Sequence, residues 1–125
     1  MIAKRSVLIV DPLDENREVL RTALERRGMK IFEARRAKQG LDLSQRHQVD
    51  LVVLDLEVEE STRETIPADF QSATDANSPS IIVLGSARHR TPVPPAGEFV
   101  SKPYHYAPLV HKIEQLLASP NKRAA

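Results

Sequence analysis

A chain of 125 residues, 41% hydrophobic and 28% charged, has the size and composition of one globular domain. Eighteen Lys and Arg against seventeen Asp and Glu leave a formal net charge of +1, so no overall field selects nucleic acid or an anionic membrane as partner. Without cysteine there are no disulfides, thiolate zinc sites or cysteine nucleophiles; His47, His89, His105 and His111 are scattered, and no apolar run approaches the roughly 20 residues of a membrane span.

Ser6–Val10 is a continuous apolar, β-branched run closed by Asp11-Pro12, the pattern of a strand buried on both faces. Asp14 then reads as a helix N-cap. Val19, Leu20, Ala23 and Leu24 form an apolar stripe, and Gly28 supplies the C-cap, which predicts an amphipathic helix over 15–27. Lys30–Ala34 is a short strand, and Ala37, Gly40 and Leu41 mark a second helix reaching about His47. Val49–Leu54 is the next apolar strand, ending at Asp55.

The stretch with Glu57, Glu59, Glu60 and Glu64 reads as a solvated loop, and Ile66, Phe70 and Ala73 have helical spacing around Ala68–Thr74. Ser80–Leu84 and Glu98–Ser101 are two further strands, the second followed by Lys102-Pro103. Pro108 suits the first turn of a last helix with Leu109, Ile113, Leu116 and Leu117 on its apolar face. Alternating strands and helices predict an α/β fold, a doubly wound parallel sheet, over residues 1–118 as a single domain, with 119–125 a flexible tail. No secretory pattern opens the chain, which is the expectation for a cytoplasmic protein. Basic residues gather between Arg17 and Lys38, eight Lys and Arg against three Glu, as a solvated helix face or a docking surface.

Asp11, Asp55 and Lys102 each stand where an apolar strand ends. In an open parallel sheet the carboxyl ends of the strands share one edge, so the three side chains converge there although far apart in sequence. Two neighbouring carboxylates repel unless a cation sits between them, and a Lys ammonium or Mg²⁺ meets that need. Such an arrangement binds phosphoryl oxygens, and its carboxylate can attack phosphorus to hold an acyl phosphate.

Val7–Asp11 (VLIVD), Glu15–Gly28, Asp50–Leu56 (DLVVLDL), Ile81–Leu84 (IIVL) and Phe99–Pro103 (FVSKP) together resemble the response-regulator receiver domain of bacterial two-component signalling. The resemblance implies a five-stranded, flavodoxin-like sheet. It makes Asp55 the phosphoacceptor and Lys102, before a cis-proline, the phosphoryl contact. Asp11, Asp55 and the backbone carbonyl of Glu57 become the Mg²⁺ ligands. Gly85 or Ser86 falls where the family's switch hydroxyl stands, and Phe99 where its aromatic partner stands. The implied partners are a histidine kinase or phosphotransfer protein and a downstream protein target, with neither nucleic acid nor membrane. The implied role is signalling rather than enzymatic.

Several departures from the family pattern carry weight. Pro12 replaces the second of two acids, which weakens or removes the Mg²⁺ site. Gly85 lacks the hydroxyl, and Val58-Glu59-Glu60-Ser61 replaces the usual proline-glycine loop. Pro92, Pro94 and Pro95 crowd the segment from Ser86 to Gly97, so the fourth helix is expected to be shortened or absent. With one acid lost, Lys102 is expected to pair directly with Asp55. The alternative function is a phosphorylation-independent pseudo-receiver that keeps the fold as a protein-interaction module. An aspartyl phosphatase or nucleotide-binding enzyme is disfavoured, because no glycine-rich loop follows the first strand.

Overall fold

Five runs rich in Val, Ile and Leu lie side by side as one parallel sheet: β1 (Ser6–Val10), β2 (Lys30–Ala34), β3 (Leu51–Asp55), β4 (Ser80–Gly85) and β5 (Gly97–Ser101). In this computed structural model, which describes residues 4–55, 70, 79–86 and 97–118, the strand order is β2-β1-β3-β4-β5. That is the flavodoxin-like doubly wound order, whose direction of winding reverses between β1 and β3. Three helices are described: α1 (Asp14–Glu25), α2 (Ala37–His47) and α3 (Tyr106–Ala118). None of the described helices is long and apolar enough to cross a membrane.

Alternation along the strands divides the core in two. Val7, Ile9, Leu51, Val53, Ile82 and Leu84 pack with α1 and α3 on one face. On the other face Leu8, Val10, Val52, Leu54, Ile81 and Val83 pack with Ala37 of α2 and with Phe70. β3 is buried along its whole length, and β1 at every position after Ser6, because each has a neighbour on both edges and a layer on both faces. β2 and β5 form the edges and stay partly open.

Three local expectations are corrected. Asp14 is the first residue of α1 rather than its cap; Leu13, whose hydrocarbon side chain can make no capping hydrogen bond, occupies the cap, and the Asp14 carboxylate pairs with Arg17. Val19 is 47% exposed, since the buried stripe of α1 runs through Arg17, Leu20 and Leu24, spaced by three and four residues. β3 begins at Leu51, not Val49; the Asp50 backbone just before it still bonds both neighbours, its N–H to the Ser6 carbonyl at 2.9 Å and its carbonyl to the Ser80 N–H at 3.1 Å, while its Oδ2 accepts from the Ser6 N–H (2.9 Å) and hydroxyl (3.2 Å).

Gly28 does close α1. At φ +86° it lets its own N–H reach the Glu25 carbonyl and the Met29 N–H reach that of Leu24, a Schellman closure. Gly40 lets α2 press onto β1, for a Cβ there would lie 2.8 Å from Val10 Cγ2. Leu109, Ile113 and Leu117 are buried on α3 and Leu116 partly so, as their spacing predicts. Phe70 is helical and buried. The rest of the helix expected around it, the acidic stretch with Glu57, residues 87–96 and the tail 119–125 lie outside the described residues.

Candidate functional site

Register places the site. Val10 pairs with Leu54, so Asp11 and Asp55 emerge side by side at the carboxyl edge, on the two sides of the winding reversal. On the other side of β3, Asp55 pairs with Leu84 and Gly85 with Ser101, which brings Lys102 to the same edge across the end of β4. Both carboxylates are nearly sealed from solvent, Asp11 at 4% and Asp55 at 2% exposure.

Lys102 neutralises Asp55 directly. Its Nζ stands 2.9 Å from Oδ1 and 2.7 Å from Oδ2, bridging both carboxylate oxygens. The ammonium is held by its own backbone as well: the Lys102 N–H donates to the Gly85 carbonyl at 2.8 Å, and the peptide bond to Pro103 is cis. A buried carboxylate needs a close cation, since desolvation otherwise penalises its charge heavily.

Asp11 is held differently. Its Oδ1 accepts the Leu13 N–H at 2.9 Å and its Oδ2 the Asn16 side-chain amide at 3.3 Å, while its backbone N–H donates to the Ala34 carbonyl at 3.0 Å. Burial pushes the Asp11 carboxyl above its ordinary value and the nearby Asp55 charge adds to this; the Leu13 and Asn16 hydrogen bonds and Lys102 oppose it.

Sequence reasoning missed the support beneath this loop. Arg17, on the buried stripe of α1, donates from Nη1 to the Asp11 carbonyl at 2.6 Å and from Nε to Glu33 Oε1 at 3.0 Å, and it pairs with Asp14. Arg21 holds the other Glu33 oxygen at 2.5 Å. Burial of Glu33 opposes its ionisation, but the hydrogen bonds from Arg21 and Arg17 outweigh it and hold the carboxyl below its usual range. The available signal was Glu33 itself, an acid inside a strand whose alternation turns it toward α1. Tyr104 was also missed. Burial, then Tyr106 and the charges of Asp11 and Asp55, push its phenol up, so it remains neutral at ordinary pH.

The remaining candidates fall near this edge. Gly85 ends β4 and meets Lys102 through its carbonyl, Ser86 follows it partly exposed, and Phe99 is partly buried on the α2 side of the sheet. Glu57 lies outside the described residues, among which no group of three or more potential metal ligands is found.

A sequence model of the response regulator receiver domain matches residues 7–114. The chain belongs to this family. A response regulator, GtcR of Aneurinibacillus migulanus, is 28% identical over 123 residues; the match covers 90% of this chain but only 48% of that protein, so the receiver domain spans about half the length of its relative. A two-component response regulator from Clostridium difficile superposes with a TM-score of 0.77 at 17% identity, covering 94% of this chain and 99% of the other. The receiver domain of a Pseudomonas aeruginosa sensor histidine kinase, whose structure has a magnesium ion coordinated in the active-site cleft, gives 0.76 at 15% identity, covering 94% and 100%. These solved structures share the fold of this receiver domain, with its five-stranded parallel sheet.

Proposed function

We propose that this receiver domain accepts a phosphoryl group on Asp55 from a histidine kinase or phosphotransfer protein and relays that event to a downstream protein target. The observation that carries the reading is the pairing of a nearly sealed Asp55 with the Lys102 ammonium, on both carboxylate oxygens, at the ligand-binding edge of the sheet. In the transfer one Asp55 oxygen forms a bond to phosphorus as the phosphorus–nitrogen bond of the donor imidazole breaks; the electron pair leaves with the imidazole, which takes up a proton. Lys102 stays protonated throughout and moves its charge from the carboxylate to the phosphoryl oxygens, where negative charge collects in the transition state. On this reading the chain is a signalling module acting in the cytoplasm, not an enzyme.

The carboxylates of Asp11 and Asp55 fit Mg²⁺ in kind, since that ion is commonly held by one or two carboxylates with water and phosphoryl oxygens. When bound, it supplies further neutralisation of the phosphoryl charge. Pro12 contributes no oxygen where a second acid would stand, and the two Asp11 oxygens already accept hydrogen bonds within their own turn. Weak binding is therefore expected. Those same observations favour the second reading, a pseudo-receiver that works through protein contacts without phosphate.

Amide-shift titration with beryllofluoride, a stable mimic of the acyl phosphate, in millimolar Mg²⁺ separates the two. The phosphoacceptor reading expects shifts spreading from Asp55 through Gly85 and Ser86 to Phe99, and their loss in Asp55→Asn. An unresponsive wild-type spectrum sinks that reading and leaves the pseudo-receiver.

A further inference from the structure

The basic run between Arg17 and Lys38 sorts, in three dimensions, into cations that are occupied and cations that are not. Arg17 and Arg21 share Glu33, Arg27 pairs with Glu114, and Lys30 lies 5.4 Å from the centre of the Phe32 ring. Arg26 sits at the far end of α1. What is left gathers at the turn from β2 into α2. Arg35 comes only within 3.9 Å of an Asp14 oxygen that Arg17 already holds, and neither Arg36 nor Lys38 has a carboxylate partner among the described residues.

Arg35 and Arg36 line a cleft of about 460 Å³ together with Pro12 and Gln39. The cleft adjoins the functional edge, since Pro12 follows Asp11 and Arg35 follows the Ala34 whose carbonyl holds the Asp11 N–H. None of these four described residues is acidic, and Pro12 presents an uncharged ring. Gln39 Oε1 accepts the Arg35 N–H at 3.1 Å, which leaves the Gln39 amide nitrogen as a third donor beside the two guanidinium groups. Among the described residues, Asp11 already accepts from Leu13 and Asn16, and Asp14, 3.9 Å from Arg35, is held by Arg17. Guanidinium groups are weakly hydrated and carry planar sets of donors that match phosphoryl oxygens two at a time.

We propose that the Arg35–Arg36 cleft is an oxyanion site for a phosphoryl group, distinct from Asp55 and independent of whether Asp55 accepts phosphate. The phosphoryl group can arrive on a small acyl phosphate or on a phosphorylated imidazole.

The test is an NMR titration of the full chain in the Asp55→Asn background, following the backbone amides of Arg35, Arg36 and Gln39 and the guanidinium Nε–H signals. Inorganic phosphate is the first probe, with chloride at equal ionic strength as the control for screening. Saturable shifts with phosphate and not with chloride are expected. Because charge-assisted hydrogen bonds carry such binding, the Arg35→Ala/Arg36→Ala variant should bind about tenfold more weakly or worse. Both side chains are exposed, so an otherwise superimposable spectrum will report an intact fold, and Arg36→Lys should keep part of the affinity.

Acetyl phosphate and phosphoimidazole are then used to displace inorganic phosphate. Displacement at lower concentration by one of them supports the site and names its source. An equal response to chloride, unchanged phosphate binding in the double alanine variant, or displacement by neither compound means an adventitious ion only and overturns the proposal. Since Asp55 is already replaced, these outcomes are separate from the beryllofluoride result on the wild-type chain.

Discussion

Asp11 illustrates how little a residue type says before its surroundings are known. A carboxylate whose burial raises its pKa binds a proton more tightly folded than unfolded, so its ionisation opposes folding at neutral pH. The sign follows: stability falls as pH climbs from the unfolded carboxylate range through the raised folded value. Asp11→Asn keeps a carbonyl oxygen for the Leu13 N–H and removes the charge. Its melting temperature should exceed that of the parent at pH 7, and the gain should shrink as pH falls and disappear below the ordinary carboxylate range, where Asp11 is protonated in both states. If Mg²⁺ binding is as weak as Pro12 implies, the gain will be the same with and without millimolar Mg²⁺. A gain that Mg²⁺ cancels would show instead that Asp11 holds the ion well. Glu33 works in the opposite sense, because Arg21 and Arg17 hold its carboxyl low; its contribution is present at neutral pH and is lost as pH falls through the carboxylate range.

At the level of elements, hydrophobic period was a good guide to existence and a poorer one to rotation. The pattern of α1 was plain from Leu20 and Leu24, yet its buried stripe turns toward Arg17 and away from Val19. An arginine carries no apolar signal, and only its three acceptors explain its burial: Glu33, Asp14 and the Asp11 carbonyl. Gly40 is a sharper case, a helix-disfavouring residue placed where α2 packs directly over Val10 of β1. Gly40→Ala gains helix propensity of about 1 kcal/mol but forces its Cβ against a fully buried Val10, and overpacking of that kind costs about 1–3 kcal/mol. The balance should be destabilising, read as a lower urea midpoint with an unchanged slope. A more stable Gly40→Ala would show that Val10 has room to move.

Across the whole molecule, the sheet and the convergence of Asp11, Asp55 and Lys102 were legible in the sequence, because strand ends in a parallel sheet share an edge whatever the loops do. The ion network under the Asp11 loop and the cleft at Arg35 and Arg36 were not, since each depends on side chains from separate elements meeting in space. The Lys102 contact also joins β3 to β5 across the end of β4, and β5 is a half-open edge strand with one neighbour. Lys102→Met leaves a carboxylate at 2% exposure without its cation, and breaking a buried pair in this way costs about 3 kcal/mol or more. Amide exchange should therefore quicken along Glu98–Lys102 before β1 or β3 is affected. Adding Asp55→Asn should restore much of the loss, because the buried charge is then gone. Exchange that rises equally in all five strands would mean that Lys102 holds no particular edge in place.

The distance in sequence between the two halves of that ion pair also has a meaning for the chain as it is made. Synthesis delivers Asp55 47 residues before Lys102, and the lysine is positioned only when β5 docks beside β4 and its N–H finds the Gly85 carbonyl. Until then a nascent chain with β1, β3 and β4 in place lacks the Lys102 ammonium at Asp55, and burying a carboxylate away from water without that cation is costly. On the phosphoacceptor reading, the competence of Asp55 therefore belongs to the finished sheet, and a chain released from the ribosome short of β5 should be silent to a phosphoryl donor.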